Sequence, residues 1–127
     1  RGKDPESALR IITQAVALQE VGCFVVVLEC IPDVVAKEIT ERLSIPTIGI
    51  GAGPHCDGQV LVTYDLLGLF ERFKPKFVKP YADVAGTVRQ AIAAYIQDVK
   101  DGAFPTKEHA FSMTPEDLAR LKHELGT

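Results

Sequence analysis

A carboxylate follows directly after the most apolar stretch of the sequence. Residues 23–28 read Cys-Phe-Val-Val-Val-Leu, and Glu29 comes next. The run is rich in β-branched residues and short, so it predicts a strand that is buried on both faces. In parallel α/β sheets, functional side chains gather at the carboxyl ends of the strands.

Glu29 is therefore a candidate general base. Desolvation raises the pKa of a buried carboxylate, which suits it to remove a carbon-bound proton near neutral pH. The alternative is a solvated acid at the exit of the strand, or a helix-capping acid just before Pro32. The sequence alone leaves both interpretations open.

A turn that contains Gly49, Gly51 and Gly53 is the second candidate. Glycines spaced by two residues leave one face of a strand without side chains, which indicates that another group approaches closely. The pattern has neither the spacing of a dinucleotide-binding turn nor the ending of a P-loop. It predicts either close strand packing or the wall of a ligand site, since turns after the last strands of eight-stranded barrels often bind anions.

Other polar residues are weaker candidates for chemistry. His55, Cys56 and Asp57 could form a metal site with Cys23 and Cys30. However, no two cysteines have the two-residue spacing of a zinc knuckle, so buried or incidental cysteines are the preferred interpretation.

Two further groups of charged residues come later in the chain. Lys74, Lys76 and Lys79 could neutralise an anion at the last strand, although a solvated sheet edge is the preferred interpretation. Glu108 and His109 lie in a predicted loop, where a lone histidine is usually structural or exposed.

Composition excludes several classes of protein. The 127 residues carry a net charge of −3 and no basic run, which argues against nucleic acid or an anionic membrane as a partner. The longest apolar run is far below the roughly 18 residues of a membrane span. Three cysteines without paired spacing indicate a reducing compartment, so we expect a cytoplasmic protein. Because no Met opens the sequence, we also expect the chain to begin inside a longer protein.

The elements that must position these residues alternate between helix and strand. The predicted helices cover residues 6–21, 33–43, 57–67, 83–100 and 114–125, and the predicted strands cover 23–28, 46–50 and 77–78. Asp4-Pro5 and Thr114-Pro115 mark the starts of the first and last helices, and Val35, Ile39 and Leu43 form the predicted buried stripe of the second. This alternation predicts an α/β fold with parallel strands joined by right-handed crossovers. Three strands leave such a sheet incomplete, so the remaining strands must lie elsewhere.

Four blocks of sequence occur together in one order. They read Leu-Glu-Cys-Ile-Pro at 28–32, Ile-Pro-Thr-Ile-Gly-Ile-Gly-Ala-Gly at 45–53 with Asp-Gly-Gln-Val-Leu-Val at 57–62, Lys-Phe-Val-Lys at 76–79, and Phe-Pro at 104–105 with Glu-His-x-Phe at 108–111. Over residues 1–111 the chain resembles the 3-methyl-2-oxobutanoate hydroxymethyltransferases. The resemblance implies a (β/α)8 TIM barrel of the phosphoenolpyruvate/pyruvate type, with this chain as its C-terminal portion: the last three βα units plus the C-terminal helices.

The resemblance also implies a reaction. A hydroxymethyl group passes from 5,10-methylenetetrahydrofolate to 3-methyl-2-oxobutanoate, and the product is 2-dehydropantoate, an intermediate of pantothenate biosynthesis. Mg²⁺ chelates the keto acid, and its ligands lie on earlier strands than those of this chain. The proton acceptor of the family corresponds to Glu29. No residue of this chain is implied as a metal ligand or a cofactor-binding residue.

The resemblance implies partners and leaves alternatives. We expect a keto acid and a folate as small-molecule partners, and the N-terminal half of the same barrel as a protein partner. We also expect a ring-based homo-oligomer, commonly a decamer in the family.

Residues 1–111 would belong to the barrel and 112–127 would form a helical tail. The fragment alone is expected to be inactive and to aggregate or oligomerise. The alternatives are a truncated, non-catalytic half barrel and a related keto-acid lyase or phosphonopyruvate-type enzyme.

Overall fold

The computed structural model describes residues 2–126, and the chain divides into two compact units, Arg1–Ala85 and Gly86–Thr127. The first unit contains a parallel sheet in the order β1-β2-β3, and two helices pack against it. The predicted α/β class with a parallel sheet is therefore confirmed.

Helix α1 (Pro5–Glu20) begins where the sequence predicts. Asp4 caps it, because its Oδ1 accepts a hydrogen bond of 2.8 Å from the backbone N–H of Ser7. Pro5 suits the first turn because it lacks an N–H that would need a partner. The hydrogen bonds from the Ser7 side chain and backbone hold the pKa of Asp4 below its ordinary value. This start is therefore specified by residues that are neighbours in sequence.

Strand β1 (Val26–Glu29) is buried on one face only. Val26 and Leu28 are 6% and 5% exposed, whereas Val27 is 57% exposed. The prediction of a strand buried on both faces is therefore wrong for this chain, and so is its early start, because Phe24 lies outside the strand and is 84% exposed. The physical reason is that the helices of this unit cover a single face of the sheet.

Helix α2 (Asp33–Arg42) packs beside α1 on the covered face. The predicted stripe is confirmed for Val35 and Ile39, which are buried, while Leu43 follows the helix and packs at the edge of the core. The apolar core consists of buried residues from both helices, from β1 and from the loop after β2, namely Ala15, Val26, Leu28, Val35, Ala36, Ile39 and Ala52.

Strand β2 (Thr47–Ile50) pairs with β1 in parallel. The register aligns Val26 with Thr47 and Glu29 with Ile50. Aligned residues of neighbouring strands share a face of the sheet, and successive residues alternate between faces. The face turned away from the helices, which we call the open face, therefore carries Val27, Glu29, Ile48 and Ile50.

Residues 57–59 do not start a helix, and this prediction is wrong. Gly58 and Gln59 form strand β3, which pairs in parallel with β2, and Val60 N–H donates to the Gly49 carbonyl at 3.0 Å. The chain returns from the end of β2 to the start of β3 through residues 51–57 alone. Helix α3 (Thr63–Leu66) follows and is a single turn. The unpaired edge of β2 offers backbone hydrogen bonds, and these outweigh the helical pattern of the apolar residues.

A polar cluster around the buried Thr47 joins the start of β3 to the start of β2. Thr47 is fully buried, and its N–H and hydroxyl donate to Asp57 Oδ2 at 2.8 and 3.1 Å. The Thr40 hydroxyl lies 2.8 Å from the Thr47 hydroxyl and so joins α2 to the same cluster. Asp57 thus has a structural role at the amino end of the sheet.

Replacement of Asp57 by Ala is expected to lower the free energy of unfolding by about 1–3 kcal/mol, because the buried N–H of Thr47 loses its acceptor. Asp57→Asn keeps an acceptor oxygen and is expected to retain part of that stability. Urea denaturation of both variants measures the difference. Equal stability of the Ala variant and the unsubstituted protein would contradict this role.

The segment around Phe77 and Val78 is a turn and not the predicted third strand. Val78 N–H donates to the Pro75 carbonyl at 3.0 Å, and Val78 is buried. A strand requires a hydrogen-bonded neighbour, and the sheet formed by residues 2–126 ends at β3. The prediction of a short strand at these two residues is therefore wrong.

The second unit is helical. Helix α4 (Val84–Lys100) starts at the boundary between the units, and α5 (Pro115–Leu125) is capped by Thr114, as predicted. Between them lies a 3₁₀-helix, Lys107–His109. The apolar stripe of α4 is largely exposed, with Ile92 and Tyr95 more than half accessible to solvent. Among residues 2–126, no helix combines the length and the apolar character that a membrane crossing requires.

Candidate active site at the carboxyl ends of the strands

Glu29 is the last residue of β1, at the carboxyl end of the sheet, as predicted. It is aligned with Ile50, the last residue of β2, and both lie on the open face. The side chain is exposed, so residues 2–126 do not supply the burial that would raise the pKa of a general base. The geometry leaves the carboxylate free to meet a molecule that lies above the strand ends.

The residue after Glu29 has an unusual backbone. Cys30 has a φ of 53°, which is rare for a residue other than glycine, and its N–H donates to the Ile50 carbonyl at 2.9 Å. This hydrogen bond extends the pairing of β1 with β2 by one residue beyond Glu29. The left-handed turn at Cys30 then directs the chain toward α2. The backbone directly after Glu29 is thus hydrogen-bonded to the end of β2.

The glycine turn is not one strand face with three empty positions, as the spacing predicted. Only Gly49 lies in β2, whereas Gly51 and Gly53 follow it with φ values of 65° and 79°. A residue with a positive φ interrupts the alternation of side chains between the two faces of a strand. Glycine adopts such φ values more readily than other residues. The predicted close approach is confirmed, because a Cβ on Gly49 would lie 3.0 Å from the sulfur of Cys56.

Two other residues approach the turn from different parts of the chain. A Cβ on Gly51 would lie 2.8 Å from the Phe77 ring, and one on Gly53 would lie 2.4 Å from the Cβ of Asp33. Sequence reasoning missed both Asp33 and Phe77 as site residues. The signal in the sequence was each glycine itself, because a glycine at such a position indicates that another group lies close to the backbone. Only the tertiary structure identifies that group.

A cavity of about 510 Å³ lies at this end of the sheet. Its lining contains residues from the exits of β1 and β2, from the start of α2 and from the turn around Phe77, namely Cys30, Asp33, Gly51, Gly53, Lys76 and Phe77. The cavity therefore begins one residue beyond Glu29. Of the three candidate lysines, the structure brings only Lys76 into this lining, while Lys79 lies 5.1 Å from the centre of the Tyr81 ring.

The residues considered for a metal site are separated by the fold. Asp57 is bonded to Thr47, and the sulfur of Cys56 faces Gly49. Cys23 precedes β1, whereas Cys30 follows it, and both are free thiols. Within the described residues, no three His, Cys, Asp or Glu side chains come together in a group that could hold a metal ion.

His109 has structural contacts in the second unit. Its Nδ1 accepts a hydrogen bond of 3.3 Å from the Thr106 N–H and lies 2.8 Å from the Thr106 hydroxyl. Its ring also stacks edge-on with Phe104 at a centroid distance of 4.8 Å. These contacts support the interpretation of His109 as a residue that stabilises its own turn.

Comparison with known proteins identifies the family. A family model described as ketopantoate hydroxymethyltransferase matches residues 1–107. The chain is 60% identical over 107 residues to the 3-methyl-2-oxobutanoate hydroxymethyltransferase of Trichlorobacter lovleyi, covering 84% of this chain and 40% of the relative. It is 58% identical over 112 residues to the enzyme of the same name from Geobacter sulfurreducens, covering 88% of this chain and 42% of the relative.

A third relative of the same name, from Nitratidesulfovibrio vulgaris strain DP4, is 55% identical over 113 residues, with 89% of this chain and 37% of the relative covered. The chain thus spans about two fifths of the length of the curated relatives that it matches. The match of the family model covers most of the chain, and the blocks on which the resemblance rested lie mainly within it. The chain belongs to the ketopantoate hydroxymethyltransferase family.

Proposed function

We propose that this chain forms the C-terminal part of a (β/α)8 barrel enzyme of pantothenate biosynthesis. The enzyme would transfer a hydroxymethyl group from 5,10-methylenetetrahydrofolate to 3-methyl-2-oxobutanoate and form 2-dehydropantoate. The observation that carries this proposal is the position of Glu29 at the carboxyl end of a parallel strand, in a chain of this family. Functional groups of such barrels lie at that end of the strands.

The role proposed for Glu29 is that of general base. Its carboxylate would take the proton from C3 of the keto acid, and the electron pair of the broken C–H bond would form the enolate. The enolate carbon would then bond to the methylene carbon of the folate, and one of the two C–N bonds to that carbon would break. Water would replace the second C–N bond, so that its oxygen becomes the hydroxyl group. The proton held by Glu29 and one proton of the water would pass to the two folate nitrogens, and tetrahydrofolate would leave. An exposed position on the open face is compatible with access of the keto acid to Glu29.

The magnesium ion implied by the resemblance does not fit residues 2–126. The part of the chain that the structure describes contains no suitable group of three ligating side chains. Mg²⁺ prefers several oxygen ligands, including carboxylates. We therefore place its ligands on strands outside this chain and assign no metal-dependent step to residues 2–126.

The open face supports the placement in a barrel. Bulky branched side chains fill the interior of a TIM barrel, and the open face carries Val27, Ile48 and Ile50. We propose that the N-terminal half of the same barrel covers this face. The assembled enzyme would be a cytoplasmic, ring-based homo-oligomer, to which the exposed stripe of α4 could contribute.

Complementation tests this assignment. The isolated chain is expected to form no 2-dehydropantoate, because the proposed metal-binding strands are absent. Addition of the separately produced N-terminal part of the Geobacter sulfurreducens relative is expected to restore product formation. Val27→Lys is expected to abolish this restoration, since it places a charge on the open face.

Val34→Lys serves as the matched control. Val34 is exposed to a similar degree, 64%, but lies on α2 and not on the open face. This variant is expected to complement like the unsubstituted chain. Full activity of the chain by itself would refute the half-barrel assignment. Failure of every mixture to exchange the C3 proton would favour the non-catalytic alternative.

A further inference from the structure

The cavity beside Glu29 is built by close contacts that only glycine permits. Because Gly51 has no side chain, the Phe77 ring lies against the turn. Because Gly53 has none, the Cβ and Cα of Asp33 also lie against it. Any side chain at either position would displace its neighbour, because a Cβ would lie within 2.8 and 2.4 Å of them, respectively. The left-handed backbone at both glycines thus positions two walls of one cavity.

Two charged groups in the lining have no partner within the described residues. Neither the Asp33 carboxylate nor the Lys76 ammonium forms a hydrogen bond or an ion pair among residues 2–126. The carboxylate accepts hydrogen bonds only, and the ammonium donates them only. Phe77 adds a partly exposed aromatic ring, 37% accessible, which lies against Gly51. The cavity therefore offers an acceptor, a donor and a surface for stacking.

We propose that this cavity binds the pterin ring of the one-carbon donor. A pterin is flat, carries adjacent N–H and amino donors on one edge, and has a carbonyl oxygen beside them. Asp33 would accept from that edge, Lys76 would donate to the carbonyl oxygen, and Phe77 would stack on the ring. The volume of about 510 Å³ lies within the usual range for small-molecule sites.

This assignment rests on the proposed function, because it takes the folate as a substrate. The cavity begins one residue beyond Glu29, so a pterin there would bring its transferable carbon toward the enolate formed at Glu29. The keto acid and the folate would thus occupy neighbouring positions at the same end of the sheet. Deprotonation of the keto acid does not require the cavity, which makes the two proposals separable.

Binding of tetrahydrofolate to the complete enzyme tests the assignment. Lys76→Met and Asp33→Asn are each expected to raise the Kd for tetrahydrofolate about tenfold, by removal of a charge-assisted hydrogen bond. Exchange of the C3 proton of 3-methyl-2-oxobutanoate in D₂O, measured without folate, is recorded for each variant as a separate readout of deprotonation. Lys74→Met is the matched control, since it removes the same charge from the same segment but not from the cavity lining.

The outcomes distinguish the two proposals. Unchanged tetrahydrofolate binding in both cavity variants would overturn the pterin site, and so would an equal loss of binding in Lys74→Met. Weakened binding in the cavity variants but not in Lys74→Met supports it. Should the unsubstituted enzyme bind tetrahydrofolate through Lys76 but never exchange the C3 proton, the cavity assignment stands and the proposed role of Glu29 fails. Asp33 also lies in the first turn of α2, so thermal unfolding of Asp33→Asn verifies that the helix is retained.

Discussion

Glu29→Gln is expected to slow exchange of the C3 proton of 3-methyl-2-oxobutanoate in the complete enzyme by about 10²–10⁴-fold. The amide has nearly the same shape as the carboxylate but does not accept the proton. Because Glu29 is exposed on the open face and supports no core contact, folding should be unaffected. NMR in D₂O measures the exchange directly and separates deprotonation from the later attack on the folate.

Glu20→Gln provides the matched control for that experiment. Glu20 is an exposed glutamate at the last position of α1, ahead of β1 in the chain and away from the carboxyl end of the sheet. Its replacement removes the same charge and is expected to leave the exchange rate unchanged. If Glu29→Gln exchanged the proton as fast as this control, Glu29 would not be the base.

Gly53→Ala is expected to lower the free energy of unfolding more than any other single methyl addition in the turn. The left-handed backbone at φ 79° costs an alanine about 1–2 kcal/mol. Contact of the new Cβ with Asp33, at 2.4 Å from its Cβ and 3.2 Å from its Cα, adds about 1–3 kcal/mol, since backbone cannot move aside as a flexible side chain does. Thermal or urea unfolding of the complete enzyme measures the sum.

Gly22→Ala separates backbone strain from steric contact. Gly22 also has a positive φ, 97°, but a Cβ there meets no atom within 4 Å. This variant should show the strain alone, about 1–2 kcal/mol. Equal losses in the two variants would mean that α2 moves away from the turn without cost, and the cavity beside Gly53 would then be deformable.

The helix starts show how far local sequence determines structure. The Asp4-Pro5 and Thr114-Pro115 pairs predicted the starts of α1 and α5, and both are confirmed. A cap is satisfied by an N–H two or three residues away, so the information is contained in a few adjacent residues. The same holds for the end of β1, where an apolar run meets a carboxylate and places Glu29 at the strand terminus.

The strands beyond β2 show where local sequence fails. Asp57-Gly58-Gln59 was predicted to start a helix and forms β3, because the edge of β2 supplies hydrogen-bond partners. Phe77 and Val78 were predicted to form a strand and form a turn, because the described sheet supplies them with no partner. A strand is defined by its neighbour, and the neighbour is remote in sequence.

The amino-acid sequence by itself determined the family, the α/β class, the starts of α1 and α5, and Glu29 as the residue at the end of the strand. These features depend on motifs and on contacts between residues close in the chain. Only the tertiary structure decided that Phe77 and Asp33 meet Gly51 and Gly53 and line an open cavity with Lys76. The reason is physical: a glycine shows that space is needed, but the group that fills the space is brought there by the packing of distant segments.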